Sequence, residues 1–318
     1  MFELDIVIPV YNGAEELNCL LEKLLPAVRN VFFPVTVIVV DDGSGDNSSE
    51  VANKWSSHYD RFRLVRCRVN MGRAGACNAG IRAGHSPWVF ILDVDCQPAD
   101  SDFLQRFFDK LKSSTILYSG QLVATGDGFW AGYSQKVYEQ RCESYKNRGS
   151  IEFTTACFAC RRDAIESVGL FSEEYRKYGF EDRDLLFRLT ELYDSDSFVI
   201  DFDNIFYHAA EKSTYNVLKK MFDAGSDSSA IFKKRFPEVY KASQYARVDY
   251  ETASWMSKFP LFCLVLVVVP LSKWIIRFLE YRWLPFNIRY QIARGLQAAY
   301  YCKGTYSRMR TQRTNSLE

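Results

Sequence analysis

Val89-Phe90-Ile91-Leu92-Asp93-Val94-Asp95 is the stretch from which the rest of this chain is read. Four apolar residues stopped by two carboxylates one residue apart suit a strand buried on both faces of a parallel sheet. In open α/β sheets, ligands bind outside the carboxyl ends of such strands. Two acids there repel one another unless something positive lies between them. A divalent cation carrying a diphosphate would relieve that repulsion. The plainer alternative is that one Asp caps the next helix and the other faces water.

Towards the N-terminus the same pattern recurs. Residues 4–10 read as a first strand, closed by Pro9 because proline cannot donate to a central ladder. Tyr11-Asn12-Gly13 turns the chain, and a helix over 14–29 puts Leu17, Leu20, Leu21, Leu24 and Leu25 on one face. Residues 35–40 are a second apolar strand. Asp41-Asp42-Gly43-Ser44-Gly45-Asp46-Asn47-Ser48 then supplies a turn and a helix cap. After a third strand at 62–65, the run from Asn70 to Gly80 opens a helix of small residues able to approach a sheet or a ligand closely. Strands and helices alternating in this way imply a doubly wound parallel sheet with a nucleotide at its carboxyl edge.

Beyond Pro98 the alternation loosens. Helices are expected at 103–111, 129–145 and 162–168, and strands at 116–123 and 153–161. Glu181-Asp182-Arg183-Asp184 begins a helix carrying Leu185, Leu186, Leu189 and Leu192. Acids in a first helical turn are also favoured by the helix dipole, by about 0.3–1 kcal/mol each, so they have a structural explanation too. Residues 198–200 and 205–208 read as two short strands. No internal repeat or low-complexity segment interrupts the chain.

A chain of 318 residues, 47% hydrophobic and 25% charged, has the make-up of an ordinary globular protein, which excludes a disordered or collagen-like one. Net charge is +1, but it is unevenly placed. From Trp255 onward ten Lys/Arg oppose two acids, so the tail carries +8 and the rest −7. That asymmetry points to an anionic surface as the tail's partner. The first apolar run is flanked by Glu3 and Asp5, so no signal peptide is expected, and nine scattered cysteines fit a reducing compartment. Cys157-Phe158-Ala159-Cys160 is a close pair without the second pair a zinc site needs, and reads as strand cysteines.

Taken together the motifs fall into one ordered set. They are Ile6-Val7-Ile8-Pro9-Val10-Tyr11-Asn12, Val39-Val40-Asp41-Asp42-Gly43-Ser44, Asn70-x-Gly72 through Asn78-x-Gly80, Asp93-Val94-Asp95, Gly169-Leu170-Phe171, and Tyr178-Gly179-Phe180-Glu181-Asp182-Arg183-Asp184-Leu185. Over residues 3–210 the chain resembles the inverting glycosyltransferases of family 2, which have the GT-A fold. The resemblance implies an α/β fold with a doubly wound, mostly parallel sheet and a Rossmann-like nucleotide-binding half. It implies a GT-A domain at 1–210 (nucleotide-binding half 1–98, acceptor half 99–210); beyond it, the residues themselves suggest a helical extension at 211–254 and a basic, apolar and aromatic membrane-associating region at 255–318.

The resemblance also implies roles. Pro9 and Tyr11 would wall the base and ribose, and Asp42 would accept a hydrogen bond from a pyrimidine ring NH. Arg73 would donate to base or diphosphate, and Asp93 would contact ribose or metal. Asp95 would ligate the metal directly, and Asp182 of the Glu181-Asp182 pair would be the general base. His208 stands where several family members carry a third metal ligand; the alternative is a satisfied core histidine. Gly13 departs from the family, where many members carry Glu after Tyr-Asn.

Sugar transfer from a nucleotide diphosphate needs charge stabilised on the leaving group, a task for Mg²⁺ or Mn²⁺ held by oxygen ligands. It also needs a proton taken from the attacking hydroxyl, worth about 10²–10⁴-fold. A UDP-sugar donor and a lipid-linked or cell-surface glycan acceptor are expected, and no nucleic acid. Competing readings are a catalytically silent sugar-nucleotide-binding scaffold and a nucleotidyltransferase. The latter wants a Gly-rich phosphate loop after the first strand, which Tyr11-Asn12-Gly13 does not supply.

In the tail, residues 259–271 carry no charge but hold Pro260 and Pro270. Trp255, Trp274, Tyr281 and Trp283 suit a membrane interface. Ile275, Ile276, Phe278 and Leu279 with Arg277 and Arg282 suit an in-plane helix. The expectation is a peripheral, monotopic anchor on the cytoplasmic face of the cell membrane, with a homodimer interface through the C-terminal region as the alternative.

Overall fold

The computed structural model describes residues 2–148, 154–281 and 283–315. They form two compact units: residues 1–125, 135–173 and 182–209 in the first, and 126–134, 174–181 and 210–318 in the second. Residues 210–318 all fall in the second unit. Phe153, Arg282 and Glu318, used in the sequence reading, lie outside the described residues.

The first unit is built on an eight-stranded sheet in the order β3-β2-β1-β4-β7-β6-β8-β5. Its strands are β1 (Leu4–Val10), β2 (Val35–Asp41), β3 (Phe62–Arg66), β4 (Trp88–Leu92), β5 (Cys96–Pro98), β6 (Leu117–Thr125), β7 (Cys157–Arg161) and β8 (Phe198–Ala209). β1 to β4 are parallel, as is the β6–β8 pair; β7 runs antiparallel to β4 and β6, and β5 to β8. The unit's helices are α1 (Ala14–Asn30), α2 (Ser48–Ser56), α3 (Gly72–Ala83), α4 (Phe103–Lys110), α6 (Arg162–Ser167) and most of α5 (Phe129–Arg148) and α7 (Glu181–Leu192).

Alternating side chains of the inner strands feed two cores. Ile6, Ile8, Val37, Val39 and Phe90 join the α1 leucines and α4 phenylalanines on one face. Val7, Ile38, Val40, Val89 and Ile91 join α3 and α7 on the other. Burying each such side chain contributes about 1.5–3 kcal/mol, which is why these strands carry almost no polar residue. Asp5 is the exception in β1, and its buried carboxylate accepts from Ser86 N, Ser86 Oγ and Arg162 Nη2 at 2.7–2.9 Å. Pro9 sits in a strand with neighbours on both sides, yet the β1–β4 ladder ends at Val7–Ile91, so it interrupts no pairing there.

Two elements differ from the sequence reading. The segments at 198–200 and 205–208 are one strand, β8, with an irregularity opposite Gly120 and Gln121. Two of the polar residues between them are buried and satisfied, Asp203 staying exposed: Asp201 accepts from Tyr118 Oη at 3.0 Å, and Asn204 donates to Phe103 O and Tyr118 Oη at 2.9 and 2.7 Å. β5 was not expected at all. Three residues ending in proline carry no periodicity, and only the pairing of Cys96 with His208 makes them a strand.

The second unit is helical: α8 (Thr214–Asp223), α9 (Ser229–Arg235), α10 (Pro237–Ala242), α11 (Trp255–Cys263), α12 (Val269–Glu280) and α13 (Phe286–Asn315). A π-helical turn at Ala224–Ser228 joins α8 to α9, and another at Leu264–Val268 joins α11 to α12. α13 crosses α8 backbone to backbone. A Cβ at Gly225 would come within 2.3 Å of Tyr301 O, and one at Gly304 within 2.4 Å of Phe222 O. Part of the tail's positive charge is spent inside this unit. Arg308 is 8% exposed and pairs with Glu251 at 2.6 Å, and Lys233 reaches the same carboxylate at 2.6 Å.

Burial pushes the Glu251 carboxyl up, but Lys233 and Arg308 outweigh this and hold it below the usual range. A depressed folded value means the ionised carboxylate stabilises the fold above its unfolded value, about 4.3. That contribution fades as pH falls through the lower folded value. Thermal melts from pH 6 to pH 3 are expected to show a shallower loss of Tm in Glu251→Gln than in wild type, with the lower Tm of the variant at pH 6.

Candidate active site

The site lies at the carboxyl ends of β1, β2 and β4. After β1, Tyr11 is 53% exposed and Asn12 takes up a left-handed conformation (φ 50°). Its amide accepts from Gly45 N at 2.7 Å, and its own N–H donates to Ser44 Oγ at 3.0 Å, so the loops after β1 and β2 are tied together. Asp42 is buried and accepts from Met71 N at 2.7 Å. Burial raises its carboxyl's affinity for a proton, against the pull of the Met71 and Gly72 N–H groups. Gly43 adopts φ 73°, and a Cβ there would meet Asn70 N at 2.9 Å. Only glycine satisfies both conditions.

Asp93 follows β4 directly, its N–H donating to Ala156 O at 2.8 Å. Both its oxygens accept from Arg73 Nε, at 3.0 and 3.1 Å, and Arg73 Nη2 stands 2.9 Å from Oδ1. The same guanidinium donates through Nη1 to Asp182 Oδ1 at 2.9 Å and to Thr155 Oγ1 at 2.9 Å, and through Nη2 to Thr155 O at 3.0 Å. Asp182 also accepts from Thr154 Oγ1 at 3.0 Å, from Thr155 N at 3.3 Å and from Thr155 Oγ1. Arg73 thus joins residues 20 and 109 positions away in sequence.

The two acids respond oppositely. Burial drives the Asp93 carboxyl up to about 7; Arg73 opposes this, and Asp95 adds to it. Burial pushes Asp182 up as well, but there Arg73 and the Thr155 and Thr154 donors prevail, and it is held below the ordinary range. Burial disfavours the charge on Arg73, yet Asp93 and Asp182 more than restore it.

Asp95 belongs to a second cluster. The β5–β8 pairing sets Cys96 opposite His208, and Ala209 N donates to Asp95 O at 3.1 Å. Asp95 Oδ2 is 3.5 Å from His208 Nε2. His208 Nδ1 is 2.9 Å from Tyr138 Oη, a contact that leaves Nε2 to face the carboxylate. Donor atoms of Asp95, Cys96 and His208 all lie within 4.8 Å of one another. Carboxylate oxygen suits the hard ions Mn²⁺ and Mg²⁺, and a neutral imidazole nitrogen is a common metal ligand that fits Mn²⁺ better than Mg²⁺. The buried Cys96 thiol is pushed well up by burial and stays protonated, so it is no ligand for a hard ion. Asp95 and His208 therefore fit such an ion. Asp93, expected beside them as a ligand, is outside this cluster because Arg73 takes both its oxygens.

The sequence profile of Glycosyl transferase family 2 matches residues 5–169, just over half of the chain. The chain belongs to glycosyltransferase family 2. Among family relatives, glycosyltransferase AglE of Haloferax volcanii is 30% identical over 174 residues, 52% of this chain and 55% of that protein. An undecaprenyl-phosphate 4-deoxy-4-formamido-L-arabinose transferase of Pectobacterium carotovorum is 37% identical over 94 residues, 29% of each chain. The matched region thus spans about half the length of the first relative and less of the second. The mannosyltransferase PcManGT of Pyrobaculum calidifontis, solved with GDP-Man and Mn²⁺, superposes with a TM-score of 0.62 at 16% identity, covering 93% of this chain and 85% of the other. That similarity establishes the GT-A fold.

Thr154, Thr155 and Tyr138 were not anticipated as site residues. No motif contains them, and only their contacts with Asp182, Arg73 and His208 bring them in. Arg73→Gln would leave Asp93 and Asp182 facing each other without a counter-charge. These side chains are 20–24% exposed, so the loss should fall below that of a fully buried pair, at about 2–3 kcal/mol in denaturant unfolding. Adding Asp182→Asn to Arg73→Gln is expected to recover part of it.

Proposed function

We propose that this chain is a metal-dependent, inverting glycosyltransferase. It would move a sugar from a nucleotide-diphosphate donor, UDP-linked, to a hydroxyl of a lipid-linked or cell-surface polysaccharide precursor. The observation that carries this reading is the convergence of two paired clusters at one sheet edge: Asp93–Arg73–Asp182, and Asp95–His208. The geometry supports a division of labour between them.

Pro9, Tyr11 and Asp42 would hold the nucleoside, with the Asp42 carboxylate accepting from the base. Asp95 and His208 would hold Mg²⁺ or Mn²⁺, which supplies Lewis-acid stabilisation of the leaving diphosphate. Arg73 holds a positive charge at the same edge, and would donate to a diphosphate oxygen by exchanging one of its contacts to Asp93, Asp182 or Thr155. Asp93 would keep Arg73 oriented and could contact ribose from the same edge. Asp182 would take the acceptor hydroxyl's proton, its carboxylate aimed by Thr154 and Thr155 rather than by its own helix. One displacement with no covalent sugar–enzyme intermediate inverts the anomeric centre.

Asp182→Asn should lower turnover by about 10²–10⁴-fold while UDP binding survives. Asp95→Ala should abolish the rate increase that added Mn²⁺ gives, and chelation should silence the wild type. Product anomers read by NMR test inversion. Unchanged turnover in Asp182→Asn would remove the base assignment.

The membrane reading rests on the helical run Trp255–Glu280. It is 26 residues long, apolar enough by composition to cross a bilayer, and only 11% of its most apolar stretch is buried. At 1.5 Å per residue such a run outreaches a hydrocarbon core of about 30 Å. Trp255, Phe259, Leu266, Val267 and Trp274 are all exposed. The name of the Pectobacterium relative carries a polyprenyl-phosphate acceptor, which supports an enzyme working at a membrane. We place the run on the cytoplasmic face of the cell membrane as a monotopic anchor, drawn to anionic lipid by the basic residues around it. In vesicle flotation, Leu266→Lys with Val267→Lys should cut partitioning at least about tenfold. Equal flotation of variant and wild type would exclude the anchor.

A further inference from the structure

The motifs Asn78-x-Gly80 and Gly169-Leu170-Phe171 take no part in the reaction proposed above, yet the first unit brings them together beside Arg73. The Asn78 side chain pairs with the backbone of Phe171 as a neighbouring strand would. Its Nδ2 donates to Phe171 O at 2.9 Å, and its Oδ1 accepts from Phe171 N at 3.0 Å. Glu173 Oε1 accepts from the same Nδ2 at 2.8 Å. From α7, Arg188 donates to Leu170 O at 2.8 Å and to Val168 O, and its Nε donates to Asp184 at 2.6 Å. These contacts hold Gly169 and Leu170 at φ 82° and 63°, a left-handed conformation that the Leu170 side chain disfavours. The loop is thus fixed between α3, which carries Arg73, and α7, which carries Asp182.

What this frame holds in place is the Phe171 ring. Phe171 is buried, and the guanidinium carbon of Arg73 lies over its ring, 5.8 Å from the centroid. The donors of Arg73 form a planar fork, and they are committed to Asp93, Asp182 and Thr155. Those hydrogen bonds depend on direction, so each is lost when the fork turns to a new partner. The attraction of an aromatic face acts instead on the delocalised charge as a whole. It therefore persists while Arg73 gives up one contact to meet a diphosphate oxygen. An aliphatic side chain in the same place would fill the space without attracting the charge.

We propose that Phe171 is a positioning residue that keeps Arg73 between Asp93 and Asp182 while the guanidinium exchanges partners during sugar transfer. The role rests on the glycosyltransferase reading above and names what steadies its arginine. Phe171 acts through Arg73, on the charge that answers the leaving diphosphate and on the cation beside Asp182. It therefore bears on turnover more than on donor affinity. Phe171 also packs in the apolar core between α3 and α7, and the experiment separates that packing from the pull of its ring on the cation.

The test uses the full chain with Mn²⁺ and whichever of UDP-glucose, UDP-galactose and UDP-N-acetylglucosamine the wild type hydrolyses fastest. Phe171→Leu and Phe171→trifluorophenylalanine should each lower kcat at least about threefold, with KM for the donor within about twofold of wild type. The fluorinated ring keeps an apolar body of similar shape and withdraws negative charge from its face, so a residue that only fills space would tolerate it. In an Arg73→Gln chain neither change should slow turnover further, because the two residues act as one unit. The same cycle read by thermal melts needs no donor: the fluorinated ring should lower Tm where Arg73 is present and leave it unchanged in Arg73→Gln. Where Phe171→Leu does not fold, the fluorinated chain decides. Wild-type turnover in the fluorinated chain, or equal slowing in both backgrounds, overturns the positioning role and leaves the proposed function standing. Melts without coupling to Arg73 overturn the role even in a chain that hydrolyses none of these donors. A wild type that hydrolyses none of them and binds no UDP by calorimetry overturns the proposed function, and the role with it.

Discussion

The carboxylates at the end of β4 can share one sheet edge with Asp182 because Arg73 stands between them. Its guanidinium contacts Asp93 and Asp182 together, and the threonines at 154 and 155 complete the shell around Asp182. Like charges a few ångströms apart need a cation, and here the protein supplies one itself. The need for a positive centre follows from the spacing of Asp93 and Asp95, and it is divided. Asp93 is answered by an arginine, while Asp95 turns away to meet His208.

That division depends on a three-residue strand. Without β5 the chain after Asp95 would have no fixed partner. With it, Cys96 is held opposite His208, and the two metal-suited side chains are brought to 3.5 Å. Second contacts orient each of them: Ala209 N on the Asp95 carbonyl and Tyr138 Oη on His208. Such outer contacts commonly set how well a ligand pair holds an ion.

The second unit shows the same economy with charge. Arg308 closes on Glu251 beside Lys233 inside the helical packing, so the basic count of the tail overstates what reaches the surface by that one arginine. What the tail does present is an apolar run with exposed aromatics, Trp255, Phe259 and Trp274 among them. A soluble helix would bury most of that surface.

By itself the sequence determined the parallel half of the sheet, because strands buried on both faces must be almost wholly apolar and their helices must carry one leucine face, as at Leu17, Leu20 and Leu24. It determined the family too, through motifs whose residues lie near one another along the chain. It also placed Asp93, Asp95, Asp182 and His208 among the candidates. Only the tertiary structure decided how they are grouped. Arg73 reaches Asp182 across 109 positions, β5 exists only through its partner, and the polar middle of β8 remains strand because Tyr118 and Phe103 satisfy it. These are pairings between distant segments, and no local period in a sequence records a contact that depends on where two separate strands come to rest.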